Sequence, residues 1–153
     1  MLQTTLAVMV KDGKIFLWEK KRGFWKWVLN WVWWKQEGEE SIEDCMIRET
    51  KEEIWIDILN QKKIWVLHFY FPEDKKDWNQ SVHLFKVDSW EGEIIESEEI
   101  RPFWFPLDEI PYDKMWADDI HWLPRILAWE DYVEYNFYFD WETGKILKHE
   151  KLK

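Results

Sequence analysis

Three glutamates in the first half of the chain have a spacing that would let their carboxylates meet. Glu49, Glu52 and Glu53 stand at i, i+3 and i+4, so on a helix they share one face within about one turn. Carboxylates this close repel each other unless a cation lies among them, and such hard oxygen ligands suit Mg²⁺ or Mn²⁺. Arg48 precedes Glu52 by four residues and could orient its carboxylate. The pattern predicts a divalent metal site, and the alternative is a solvated acidic helix face.

The residues around the glutamates favour a helix. Ser41 followed by Asp44 is similar to a capping box, so we predict a helix over residues 42–54. This helix would carry a second stripe, separate from the acidic one, at i, i+3 and i+7. The second stripe would pack on a sheet and consists of Ile47, Thr50 and Ile54.

Strands alternate with helical segments along the rest of the chain. We predict strands over 3–10, 14–18, 64–71, 81–87, 100–105, 132–140 and 145–151. We predict a second helix over 117–129, with Pro124 bending it or marking its start. Residues 19–39 lack a steady period and are predicted to form a long loop. Strands interleaved with two helices predict an α/β sandwich with a mixed sheet.

Size and charge restrict the classes of partner. The 153 residues suit a single domain over 1–153, and no apolar stretch or leader segment predicts a membrane partner. The net charge of −10 argues against a nucleic-acid polymer, which needs a basic track, but not against a nucleotide that arrives with its own magnesium. The one cysteine, Cys45, excludes an internal disulfide framework, so we expect a small core residue and a cytoplasmic location.

The acidic stretch resembles the Nudix box, G-x5-E-x7-R-E-U-x-E-E-x-G-U, where U is a bulky aliphatic residue. Glu40, Arg48-Glu49, Glu52-Glu53 and Ile56 stand at the required spacing. The flanks KKRGF (20–24), WNQSVH (78–83), ESEEIRP (96–102) and MWADD (115–119) are similar to the MutT-type subgroup that hydrolyses oxidised purine nucleoside triphosphates. The resemblance covers about residues 4–150 and implies a Nudix α/β/α sandwich with a mixed β-sheet.

The resemblance implies a hydrolase that sanitises the nucleotide pool. Water would attack a phosphoryl group of the triphosphate and release a nucleoside monophosphate and pyrophosphate. By resemblance the magnesium ligands are Glu49, Glu52, Glu53, the backbone carbonyl of Trp34, and Glu99. The general base is Glu52 or Glu99, and the alternative for Glu99 is an exposed loop acid. Arg48 belongs to the same catalytic set.

The resemblance also implies a purine-binding pocket. Asn30, Asp118 and Asp119 would contact the polar edge of the base, and one aspartate could hold a proton and donate it. The alternative for the aspartates is an acid pair at a helix N-terminus. Lys20 would meet phosphate, or be a solvated surface lysine. The walls of the pocket would be Phe24, Phe69 and Trp116.

Two other functions stay open at this stage. The same fold could hydrolyse another nucleoside diphosphate derivative, such as a dinucleotide, a nucleotide sugar or an unmodified triphosphate. It could also be a binding module without catalysis, although a pure binder has no need for all of Glu49, Glu52 and Glu53.

Tryptophan is abundant and glycine scarce, at 15 and 5 residues. The resemblance implies glycine at ten of the tryptophans and an aromatic residue at Trp104, Trp116 and Trp122, whereas Trp78 and Trp90 fall in variable stretches and are kept as tryptophan. Our hypothesis is that UGA codons read as glycine in the source have been translated as tryptophan; the rivals are engineering and a Trp-rich binding loop. The ten are Trp18, Trp25, Trp27, Trp31, Trp33, Trp34, Trp55, Trp65, Trp129 and Trp141.

Ten such indoles would be costly. A side chain at a left-handed glycine position costs about 1–2 kcal/mol, and overpacking adds roughly 1–3 kcal/mol at each site. The sum rivals a typical stability of about 5–15 kcal/mol. We therefore expect the tryptophan form to fold and hydrolyse poorly and the glycine form to do both well.

Overall fold

The computed structural model describes residues 1–21, 29–98, 100–128 and 132–152, with only the backbone given for 32–34. Nine strands and two α-helices lie in these ranges, together with short 3₁₀ segments at Glu73–Trp78 and Tyr112–Lys114. In chain order they are β1 (Leu2–Lys11), β2 (Lys14–Lys20), β3 (Leu29–Asn30), β4 (Val32–Lys35), α1 (Ile42–Ile54), β5 (Asp57–Tyr70), β6 (Gln80–Glu91), β7 (Ile100–Pro106), α2 (Asp119–Leu127), β8 (Val133–Phe139) and β9 (Ile146–Lys151).

The strands form one mixed sheet in the order β3-β2-β1-β6-β5-β8-β9. Strand β4 also pairs with β1, and β7 pairs with β2. The β1–β6 and β5–β8 pairs are parallel and the other pairs are antiparallel. The hairpin between β1 and β2 turns at Asp12 and Gly13, whose positive φ angles of 53° and 74° are those of a two-residue hairpin turn.

Alternation along the strands supplies two apolar faces, and each is covered by a helix. On one face Leu6, Val8 and Leu67 pack in a cluster with Trp122 and Leu123 of α2. On the other face Ala7, Met9, Phe85 and Val87 pack with Met46 and Ile54 of α1. The predicted α/β/α sandwich is confirmed, and Cys45 is fully buried as expected.

The predicted loop over residues 19–39 was wrong over 29–30 and 32–35, which form strands, and over 19–20, which belong to β2. Strand β3 pairs with β2 and strand β4 pairs with β1, with Thr5 opposite Trp34. Branched and aromatic residues favour extended backbone, and pairing with a central strand supplies the hydrogen bonds. Adjacent tryptophans at 33 and 34 hid the two-residue period that predicts a strand.

Strand β5 begins seven residues earlier than the sequence predicts. Its first half is polar and largely exposed, and it pairs with the second half of β6. The register shifts between Ile58 and Asn60, between Asn60 and Gln61, and between Lys63 and Trp65. Bulges of this kind break the alternation of apolar residues, so this half carried no recognisable strand pattern.

Helix α2 is shorter than predicted and contains Pro124 in its interior. Trp129 lies outside the described residues. Within the described ranges, no helix has the length and apolar character needed to cross a membrane.

Candidate active site

Helix α1 begins and ends where the sequence predicts. The Ser41 hydroxyl oxygen accepts a hydrogen bond from the Asp44 N–H at 3.0 Å, which satisfies one amide of the first turn. Thr50 and Ile54 of the predicted apolar stripe are buried against the sheet. The helix ends at Trp55, whose φ of 60° and ψ of 32° are left-handed and whose N–H donates to the Lys51 carbonyl. This is the conformation in which helices usually place glycine.

Arg48 connects the acidic residues of the motif. Its guanidinium donates twice to Glu40, from Nε to Oε2 at 2.9 Å and from Nη2 to Oε1 at 2.7 Å. The third nitrogen, Nη1, lies 2.6 Å from Glu49 Oε1 and 3.2 Å from Glu52 Oε2. A planar guanidinium suits this arrangement because it holds several donors in a rigid fork. Arg48 therefore fixes Glu40 as an anchor and gathers two of the predicted metal ligands.

These contacts shift the ionisation of the motif. The hydrogen bonds from Arg48 lower the pKa of Glu40 to about 2, so this carboxylate stays charged. The same bonds to Glu40 raise the pKa of Arg48 further above its usual value. Glu40 also accepts from the Glu37 N–H at 3.1 Å, which ties the segment before α1 to the helix.

The three predicted metal ligands differ in exposure. Glu49 is buried at 7% exposure, Glu53 is half-buried and Glu52 is exposed. Among the described residues no three His, Cys, Asp or Glu side chains are grouped to hold a metal ion. The donor set nevertheless fits a hard divalent cation, because three carboxylates share one helical face and Arg48 already draws two of them together. Arg48 contacts each of these two carboxylates through a single oxygen, Oε1 of Glu49 and Oε2 of Glu52.

The other predicted residues near the metal are partly described. The backbone of Trp34 lies in β4 beside β1, and Lys20 is the last residue of β2. Glu99 and Phe24 lie outside the described residues. Glu96, three residues before Glu99, pairs with Lys21 at 2.6 Å.

The second predicted cluster is brought together at the start of α2. Asn30 in β3 accepts a hydrogen bond from Trp116 Nε1 at 2.7 Å. Asp118 and Asp119 lie at the N-terminus of α2 and are 4% and 1% exposed. These three polar residues and Trp116 therefore come from two distant parts of the chain, as the purine-pocket prediction requires.

Burial controls the ionisation of the aspartate pair. Loss of solvent raises the pKa of Asp118 to about 6, although a hydrogen bond from Trp122 opposes the shift. Burial raises the pKa of Asp119 well above its ordinary value, and the neighbouring charge of Asp118 raises it further. Two neighbouring carboxyls in this environment do not both ionise readily, so burial and their mutual repulsion favour a form in which one of them keeps its proton.

Each aspartate is engaged by an indole. Trp122 Nε1 donates to Asp118 Oδ2 at 2.8 Å, and Trp31 Nε1 donates to Asp119 Oδ1 at 3.2 Å. The Asp119 Oδ2 atom has no hydrogen-bond partner within the described ranges. One buried carboxylate oxygen of this pair therefore has no partner in the described part of the chain.

Phe69, the third predicted wall residue, packs against the same core. Its ring meets Phe137 at 5.9 Å and Phe139 at 5.2 Å, both edge to face. Phe69 is half-buried in the cluster that also contains Trp31, Met115 and Trp122. This places an aromatic wall on the side of the sheet that α2 covers.

Two indoles of this cluster, Trp31 and Trp122, were not among the predicted site residues. Trp122 stands four residues after Asp118, so the helical spacing could have predicted their contact. Trp31 carried no such signal, because its contact with Asp119 joins residues 88 positions apart. Among the described residues for which the resemblance implies glycine, Trp65 has a buried indole N–H without a hydrogen-bond partner, and Trp55 has a positive φ. The codon hypothesis stays a prediction.

Comparison with known proteins agrees with the geometry. The NUDIX domain profile matches residues 3–126. The chain is 36% identical over 148 residues to the Oxidized purine nucleoside triphosphate hydrolase of Danio rerio, covering 97% of this chain and 92% of that protein. It is 33% identical over 139 residues to the protein of the same name from Mus musculus, covering 91% and 88%.

A solved structure supports the fold. The mMutator MutT protein from Bacillus halodurans superposes with a TM-score of 0.77 at 23% identity, covering 99% of this chain and 97% of that one. The profile match and the two relatives carry the assignment beyond the fold. This chain is a member of the Nudix hydrolase family.

Proposed function

We propose that this Nudix hydrolase cleaves oxidised purine nucleoside triphosphates to the monophosphate and pyrophosphate in the presence of Mg²⁺, and so sanitises the nucleotide pool. The observation that carries the proposal is the buried pair Asp118 and Asp119, with Asn30 and Trp116 beside it. The two similar proteins from Danio rerio and Mus musculus bear the name of this activity.

The aspartate pair suits an oxidised purine because it offers both hydrogen-bonding roles. A protonated Asp118 or Asp119 donates, and the ionised partner accepts, so the pair can match an edge that presents an acceptor beside a donor. Oxidation of a purine changes which ring atoms are protonated, and therefore changes this pattern. Asn30 adds an amide that can donate and accept, and Phe69 supplies a flat aromatic wall.

Glu49, Glu52 and Glu53 would hold the divalent cation, with Mg²⁺ first and Mn²⁺ as a substitute. When bound, the ion neutralises charge on the phosphate oxygens and lowers the pKa of coordinated water. Arg48 positions the carboxylates before the ion arrives, since it contacts Glu49 and Glu52 while its fork is held by Glu40. Glu40 acts as a positioning residue because its contacts are with Arg48 and the Glu37 N–H.

The proton acceptor for the attacking water is Glu52 or Glu99. Glu52 is the most exposed of the three carboxylates on the metal-binding face, so in the role of base it could release a proton to solvent. Lys20 would neutralise part of the phosphate charge, and Trp34 would add its backbone carbonyl to the metal site.

The test is hydrolysis of a panel of purine triphosphates with Mg²⁺, comparing 8-oxo-dGTP and 2-hydroxy-dATP with dGTP and dATP. Glu53→Gln removes a metal ligand, and we expect it to lower kcat at least 100-fold. Glu43→Gln is the matched control, because Glu43 is an exposed glutamate on the first turn of the same helix.

Several outcomes would contradict the proposal. Equal kcat/KM for damaged and ordinary triphosphates would refute the pool-sanitising role and favour another nucleoside diphosphate derivative. Nucleotide binding that survives Glu53→Gln without any hydrolysis in the wild type would favour a non-catalytic binding module.

A further inference from the structure

Trp31 lies inside the cluster that is proposed to contact the purine. Its side chain is 3% exposed, and its ring centroid is 5.5 Å from that of Trp122. Its indole N–H donates to Asp119 Oδ1 at 3.2 Å. A large aromatic ring therefore lies against a carboxylate assigned to base recognition.

The indole has the shape and chemistry of the expected ligand. Indole and purine are both flat fused rings of five and six members, and both can present a ring N–H to a carboxylate. Asp119 and the aromatic wall would treat the two rings alike, since stacking and an N–H···O bond are available to each.

The backbone holds this indole in place. Trp31 lies between β3 and β4, which pair with β2 and β1 respectively. Its carbonyl oxygen accepts a hydrogen bond from Trp18 Nε1 at 2.6 Å. Strand pairing on both sides and this hydrogen bond therefore fix the backbone of Trp31 beside the cluster.

We propose that, in the tryptophan form of the chain, Trp31 is an intramolecular occupant of the purine pocket, which a purine base must displace from Asp119 before it can bind; the glycine form would have this pocket open. This inference rests on the proposed function, because it takes Asp118 and Asp119 as the base-contacting pair. It makes position 31 the determinant of access to the pocket: the tryptophan closes it, and a residue without a side chain opens it.

The occupant should weaken nucleotide binding without displacing the glutamates of α1. Glu49, Glu52 and Glu53 lie on α1, against the opposite face of the sheet from the cluster that contains Trp31. Opening the pocket should therefore lower KM for purine triphosphates and leave the metal requirement unchanged.

The experiment compares wild type with Trp31→Gly and Trp31→Ala, using free indole and 8-oxo-dGMP as probes. Calorimetry should show that indole binds the variants at least tenfold more tightly than wild type, and that 8-oxo-dGMP displaces it competitively. The value of kcat/KM for 8-oxo-dGTP should rise at least tenfold in Trp31→Gly, mainly through KM. Trp141→Gly is the matched control, since Trp141 is 38% exposed and packs on Phe71 and Trp78 instead.

The outcomes separate this inference from the proposed function. Folded variants that do not bind indole, or that bind it without competition from the nucleotide, overturn the inference. An unchanged KM in Trp31→Gly also overturns it. Competitive binding of indole and 8-oxo-dGMP without hydrolysis of 8-oxo-dGTP supports the inference and refutes the proposed function.

A measurement on the unaltered chain covers the case in which the small variants do not fold. Hydrogen exchange of the Trp31 indole N–H, followed by NMR, should be slow in the free protein and at least tenfold faster when 8-oxo-dGMP saturates it. An indole N–H that stays protected in the saturated protein overturns the inference.

Discussion

Trp55 offers a direct test of how the backbone of this chain constrains its side chains. It ends α1 in the left-handed region at φ 60°, and 56% of its surface is exposed. A residue with a Cβ pays about 1–2 kcal/mol for that conformation, whereas glycine adopts it freely. We therefore expect Trp55→Gly to stabilise the protein, although the change removes a whole indole side chain.

The expected magnitude is small but measurable. Glycine gains about 0.4–1 kcal/mol of extra unfolded-state entropy relative to alanine, which offsets part of the relief. The net stabilisation is then about 0.5–1 kcal/mol. For a domain of this size that corresponds to a rise in Tm of roughly 1–4 °C.

Urea denaturation at neutral pH measures the effect, with Trp55→Ala as the first control. Alanine shortens the side chain but keeps the Cβ, so it should not gain the stability that glycine gains. The mirror control is Gly38→Ala, because Gly38 has φ +57° and a Cβ there would meet no atom within 4 Å. Gly38→Ala should destabilise by about 0.5–1 kcal/mol, since it adds the same strain without any packing change.

Equal stabilities for Trp55→Gly and Trp55→Ala would refute the reasoning. The same conclusion would follow if Gly38→Ala were neutral, because the φ angles at the two positions, 57° and 60°, are nearly the same.

Three further predictions concern the buried indoles, the aspartate pair and the tryptophan content. In urea denaturation, Trp122→Phe should lower the free energy of unfolding by about 1–3 kcal/mol more than Trp65→Phe does. The reason is that the Trp122 N–H donates to Asp118, whereas the Trp65 N–H has no partner in the described part of the chain. Equal losses in the two variants would contradict this. Asp119→Asn should be as stable as the wild type near pH 4 and increasingly more stable than it as the pH rises above the ordinary carboxyl range. The raised pKa of Asp119 means that the folded wild type holds this proton more tightly than the unfolded chain does, so the wild type loses stability as the pH rises, and the asparagine variant does not. A gap that is constant with pH would contradict it. Mass spectrometry of the protein from its native source should show glycine at the ten positions named above and tryptophan at 78, 90, 104, 116 and 122, whereas tryptophan throughout would end the codon hypothesis.

Local signals predicted the parts of the fold that depend on neighbouring residues. Ser41 and the apolar stripe gave the bounds of α1, and the i, i+4 spacing predicted the contact of Arg48 with Glu52. The contact of Arg48 with Glu40 depends on how the segment before α1 folds back, and it was not predicted from the sequence.

Long-range pairing explains what the sequence analysis could not predict. Strands β3 and β4 exist because β2 and β1 offer edges to pair with, and a single segment does not carry that information. The bulges in β5 shift its side chains between faces, so its polar half had no period to detect. The contact between Trp31 and Asp119 joins the segment between β3 and β4 to α2, and the two residues are 88 positions apart, so no local pattern predicts it.

The acidic motif also gives the protein a pH dependence of its own. Arg48 lowers the pKa of Glu40 to about 2, so the stability from this pair is present above the ordinary carboxyl pKa and is lost as pH falls toward 2. The raised pKa values of Asp118 and Asp119 have the opposite effect, because they lower the stability of the folded protein as pH rises above the ordinary carboxyl range. Comparison of Asp119→Asn with the wild type across pH isolates the contribution of the aspartate pair from that of Glu40.

The central claim is that the glutamates of α1 hold a divalent ion, and Mn²⁺ binding followed by electron paramagnetic resonance tests it most directly. We expect the wild type and Glu43→Gln to take up Mn²⁺ and Mg²⁺ to displace it, and we expect Glu53→Gln to lose at least tenfold in affinity. Uptake that is absent from the wild type, or equal in all three proteins, would contradict the account.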